Sequence, residues 1–122
     1  MAFVIRRAGS KFQETLEGTG VIVTCIAPDA HIADECIRAI NAVGKKGPGL
    51  VQALRTVFGH LFDAVDGLEL EGGEKFALEK DSIGALTGEC MSMLIPLLGK
   101  LQSLAMRILG FGSDEDAERK NS

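Results

Sequence analysis

Residues 81–110 hold the feature that most constrains this chain: Ile83, Leu86, Cys90, Leu94, Leu97, Leu101, Leu104 and Ile108 recur at steps of 3 and 4. That period puts them on one face of an α-helix. Met91, Met93, Leu98 and Met106 widen the apolar face beyond one seam, so a helix here has to be covered on more than one side. Asp81 or Ser82 stands ready to cap its start. Pro96 lies mid-way, and a proline in a helix interior costs about 3 kcal/mol through its missing N–H and its clash with the preceding turn. The stretch therefore reads as two helices, or as one kinked helix. It does not read as a membrane span. Lys100, Gln102 and Arg107 interrupt MSMLIPLLGKLQSLAMRILGF, whereas a span needs about 20 largely uncharged residues.

The rest of the chain supplies what such a helix packs against. FVIRR and KFQETLE are short β-prone runs, and VIVTCIA is the strongest strand candidate, β-branched and ended by Pro28. With Gly18 and Gly20 between them, KFQETLE and VIVTCIA are set to pair as a hairpin. Asp29 is placed to cap a first helix, in which Ile32, Cys36, Ile37 and Ile40 recur at helical spacing until GKKGPG ends it near Val43. A second helix follows, with Leu50, Leu54, Val57, Phe58, Leu61, Phe62 and Val65 as its apolar stripe and Asp66-Gly67 as its stop. This predicts an α+β fold, mainly helical with a small N-terminal β region, three to four helices packing around one core. Residues 1–111 read as a single domain, and 112–122 as a charged, unfolded tail.

Between helices two and three lies the acidic stretch FDAVDGLELEGGEKFALEKD. A calcium-binding EF-hand loop needs oxygen ligands at its first, third and fifth positions, Gly at the sixth and Glu at the twelfth. Placing Gly67 sixth puts Phe62, Ala64 and Gly73 where ligands belong; placing Gly72 or Gly73 sixth puts Gly or Leu first. The spacing excludes such a loop. What remains is two short alternating runs, Leu68/Leu70 and Phe76/Leu78, around a Gly-Gly turn: a short hairpin or tight loop near 68–78.

The other polar clusters are equally sparse. His31, Asp34 and Glu35 share one helix turn, too few ligands for a divalent metal, and read as a solvated first turn with acids favoured by the helix dipole. His60, three residues before Asp63, reads as a surface or half-buried histidine. Lys45 and Lys46 in GKKGPG lack the order of a phosphate-binding P-loop. No GxSxG, HExxH, GxGxxG or paired Cys/His constellation occurs, so no residue is assigned a catalytic or metal-binding role and no cofactor is expected. The chain is read as a non-enzyme.

Composition excludes further classes. With neither Trp nor Tyr, the chain lacks stacking platforms for single-stranded nucleic acid. Its formal net charge of −4 is split between +2 over residues 1–60 and −6 over residues 61–122, which leaves no basic stripe for duplex DNA. The asymmetry suits a basic partner for the second half, or head-to-tail self-association. Cys25, Cys36 and Cys90 are odd in number and widely spaced, as expected of reduced, mostly buried thiols in the cytoplasm. MAFVIRRAGSK is not a signal peptide, because charge follows an apolar run of three residues.

The organisation resembles the tail assembly chaperones of long-tailed, lambda-like bacteriophages. The resemblance lies in MAFVIRR, in KFQETLEGTGVIVTCIAPD before the first helix, in VFGHLFDAVDGLELEGGEKFALEKDSIGALTG, and in the charged end SDEDAERKNS. Members often carry a tryptophan just before the acidic, Gly-containing loop; here Val57-Phe58 or Leu61-Phe62 would take that place. The resemblance implies a non-catalytic protein of the host cytoplasm, absent from the mature virion. Such a protein binds the tape-measure protein, keeps it soluble and helps recruit tail-tube subunits. Neither a nucleic-acid nor a membrane partner is expected from the composition and hydropathy above, and many members of the family are also made as a longer, frameshifted product.

The residue pattern is compatible with that role, because an apolar, Met-bearing helix can offer a stripe to another amphipathic helix. The candidate contacts are Met91, Met93, Leu94, Leu97, Leu98, Leu101, Leu104 and Ile108, which would otherwise be core or a homo-oligomer seam. Two other readings belong to different classes: a self-assembling structural or adaptor component of a phage head or tail, and a small inhibitor of a host protein.

Overall fold

The computed structural model describes residues 5–44 and 49–110. The expected hairpin forms. Strand β1 (Lys11–Leu16) pairs antiparallel with β2 (Val21–Ile26), in register from Lys11 opposite Ile26 to Leu16 opposite Val21. Gly18 and Gly20 take left-handed φ values of 77° and 75° in the connecting turn, which side chains adopt only with strain. Thr19 fastens the turn: its hydroxyl donates to the Leu16 carbonyl at 2.7 Å and accepts from the Val21 N–H at 3.0 Å. Alternation then sorts the faces. Val21, Val23 and Cys25 are buried, while Ile22, Thr24 and Ile26 on the other face are half-buried.

Helix α1 (Ala30–Asn41) is capped as expected, the Asp29 carboxylate accepting from the Ile32 N–H at 2.7 Å. Helix α2 (Leu50–Leu61) ends earlier than its apolar stripe suggests. Phe62–Asp66 is a third strand, β3, lying antiparallel on the other side of β2 in the sheet order β1-β2-β3. A bulge explains the misleading period. Ala64 faces Thr24 and Phe62 faces Cys25, so Asp63 is an extra residue in the ladder. The bulge brings Phe62 and Val65 to the same buried face although they stand three apart, the spacing of a helix rather than of a regular strand.

The expected long helix over 81–110 is also revised. Residues 81–86 form a tight turn and strap, and helix α3 (Gly88–Met93) begins only after Thr87, whose hydroxyl accepts from the Cys90 N–H at 3.2 Å. Asp81 does cap backbone N–H groups, but those of a turn: its Oδ1 accepts from Ile83 at 3.0 Å and from Ala85 at 3.1 Å. Gly84, at φ +85°, completes that turn. Pro96 breaks the helix where expected, within a 3-10 turn over Ile95–Leu97, and helix α4 (Leu98–Ile108) follows. The segment between β3 and the strap is a short hairpin-like loop. A single bridge joins Glu69 to Lys75, and Phe76 N–H donates to the Leu68 carbonyl at 3.0 Å around the Gly72-Gly73 turn.

The fold is thus α+β, as read from the sequence. Helix α2 is its centre: Leu54, Val57, Phe58 and Leu61 are fully buried between the sheet, α1, α3 and α4. The Phe58 and Phe62 rings stack tilted at 5.0 Å, carrying the core across the helix–strand junction. In the N-terminal run FVIRR, Phe3 and Val4 lie outside the described residues, and Ile5, Arg6 and Arg7 form no strand. The tail expected over 112–122 and the lysines Lys45 and Lys46 also lie outside them.

Candidate interaction surface

The strap decides where α3 and α4 sit. Leu86 N–H donates to the Arg55 carbonyl at 3.0 Å, and the Arg55 Nε donates to the Leu86 carbonyl at 2.7 Å. Arg55 also meets Asp81 at 3.4 Å in a half-buried ion pair. One helical turn further on, the strap backbone lies so close to Gly59 that a Cβ there would stand 2.0 Å from the Gly84 carbonyl oxygen and 2.7 Å from the Ala85 Cα. Gly84 therefore crosses α2 at Gly59 and Leu86 crosses it at Arg55, so the strap runs antiparallel to the helix. It delivers α3 beside the N-terminal half of α2.

From there α3, the 3-10 turn and α4 close over the core. Of the eight candidate contact residues, Met91, Leu94, Leu101 and Leu104 are buried, each 2% exposed or less. Leu97, Leu98 and Ile108 are half-buried and pack against the same core. Only Met93 is exposed. The stripe read as a partner surface is mostly the inner face of the domain, because α4 packs against both α2 and β1. Other apolar side chains remain open: Ile95 beside Pro96 and Val51 in the first turn of α2, both missed in the sequence, and Leu50 next to Val51. Helical spacing assigned Leu50 to the stripe, but the stripe's inner face starts with Ala53 and Leu54. Ile83, another stripe member, is 76% exposed at the tip of the Asp81 turn.

The polar clusters are also rearranged. Asp34 pairs with Arg38 at 2.8 Å, while Glu35 reaches His31 at 3.0 Å and His60 of α2 at 3.2 Å. His31 and Glu35 thus come together with His60 rather than with Asp34, and they tie α1 to α2. Each imidazole meets a different carboxylate oxygen. Among the described residues no group of His, Cys, Asp and Glu side chains is arranged to hold a metal ion. The three cysteines are buried and unpaired. Burial, with Glu14 nearby, pushes the Cys25 thiol up to about 12; burial, with Glu35 nearby, pushes Cys36 up to about 11, and burial raises Cys90. Such thiols stay protonated at neutral pH, and the nucleophile is the thiolate.

The arrangement leaves the apolar side chains of Met93 and Ile95 exposed where α3 meets the 3-10 turn, and among the described residues no helix is long and apolar enough to cross a membrane. Compared with known proteins, the chain matches no family model, no curated protein and no solved structure.

Proposed function

We propose that this protein is a non-catalytic assembly chaperone of the kind used by long-tailed bacteriophages. It acts in the host cytoplasm, binds the tape-measure protein and helps recruit tail-tube subunits. One observation carries the binding reading. Met93 and Ile95 present exposed apolar side chains at a short helical end beside Pro96, next to Met91 and Leu94, which are buried in the core. Exposed apolar groups at a helix end suit an amphipathic helix, the form expected of a long helical partner. The resemblance over MAFVIRR, KFQETLEGTGVIVTCIAPD and the acidic Gly-containing loop supports the phage assignment.

The test is capture of the tagged protein from its native source, with the eluate identified by mass spectrometry. Recovery of a very long helical protein, with peptides from an extended form of this chain, is the expected result. Recovery of the chain alone as a ring or tube would favour a structural component instead. Salt-sensitive recovery of one host enzyme would favour an inhibitor.

A further inference from the structure

Helix α2 ends without a stop signal. Between Leu61 and Gly67 there is no Gly, Pro or Asn, and the residue after the helix, Phe62, still donates its N–H to the Phe58 carbonyl before turning extended at φ −114° and ψ 129°. β3 begins at that same residue, with no loop between. The apolar stripe runs on regardless. On a helix continued past Leu61, Val65 would fall about 20° from Leu54 around the axis, in the middle of the buried face. The stop signal itself stands at Gly67, whose φ of +91° is the left-handed conformation that terminates helices.

Residues 62–66 therefore satisfy two patterns. As a strand they bury Phe62 and Val65 through the bulge at Asp63; as a helix they bury Val65 on the stripe of α2 and end at a glycine already in the capping conformation. Charge selects the strand. Asp63 and Asp66 would lie in the last turn of a longer helix, where acids oppose the negative end of its dipole. In the strand they meet cations instead, Lys11 at 3.2 Å and Lys75 at 3.2 Å. Among the described residues β3 is also an edge strand, paired with β2 alone, so its release breaks that one ladder.

We propose that Phe62–Asp66 is a two-state segment, strand β3 in the resting fold and an extension of α2 in a minor state. In that state α2 runs to Asp66, Gly67 caps it, and the edge of β2 along Ile22–Cys25 is left open to an incoming strand. The switch rests on the helix–strand conflict in this segment and is independent of which partner the protein serves.

Chemical-exchange saturation transfer NMR on the full chain tests it. The wild-type protein and the Asp63→Lys/Asp66→Lys double variant are compared through Cα chemical shifts. The substitutions remove both strand ion pairs and favour the helix end, so the minor population is expected to rise several-fold with helical shifts over residues 62–66. Helical minor-state shifts in either chain support the switch. Exchange toward random-coil shifts, or no exchange at these residues in both chains, overturns it. Asp63→Pro, which places a proline inside the longer helix, is expected to abolish the minor state while the β1–β2 hairpin signals persist; a helical minor state that survives it would also overturn the switch.

Discussion

The β1–β2 hairpin and the strap of residues 81–86 are both short, turn-bearing segments, yet they take their shapes from different sources. The hairpin is built from its neighbours. β-branched alternation, two left-handed glycines and one threonine hydroxyl complete it within Lys11–Ile26. The strap is shaped from a distance. Arg55, 31 residues before Leu86, binds it on both the carbonyl and guanidinium sides, and Gly59 leaves the space it crosses. Local signals could place the hairpin from sequence; helical periodicity alone misplaced the strap, because nothing within 81–86 announces that α2 lies against it.

Breaking the distant contact is expected to have the largest effect. Gly59→Ala puts a Cβ into backbone atoms that cannot move aside, and should destabilise the protein by about 3 kcal/mol or more, read as a fall in the urea midpoint. Leu101→Ala comes next. It empties a site 1% exposed on α4 and should cost about 2–5 kcal/mol in the same measurement. Asp81→Ala leaves the Ile83 and Ala85 N–H groups without their acceptor and Arg55 without its carboxylate, at an expected cost of about 1–3 kcal/mol. Ile83→Ala, inside the strap and on the same sequence stripe as Leu101, should stay within about 0.5 kcal/mol of the parent by thermal melt, because its side chain is 76% exposed. A large loss there would mean that the stripe is a helix after all.

Much of the fold was legible where the chain carries its own punctuation. Asp29 after Pro28, Gly18 and Gly20, and Pro96 each did what local chemistry dictates. Phe62 and Val65 were not legible, because a bulge at Asp63 gives a strand the spacing of a helix, and a bulge depends on the partner strand. The candidate site was legible only in part. Helical period found the apolar residues of α3 and α4 but could not tell an inner face from an outer one. Leu101 and Met93 differ in what packs over them, which is set by where the strap delivers α3. Ile95 and Val51 carried no signal beyond being apolar.

The apolar residues of 91–108 divide into a closed core and a small open patch around Met93 and Ile95, the proposed contact. Capture of the partner by the wild-type chain and by a Met93→Asp/Ile95→Asp variant tests it most directly, with circular dichroism confirming that the variant folds. If the open patch is the contact, the variant folds and recovers little or none of the protein that the wild type retains. A folded variant that captures the partner as well as the wild type does would contradict it.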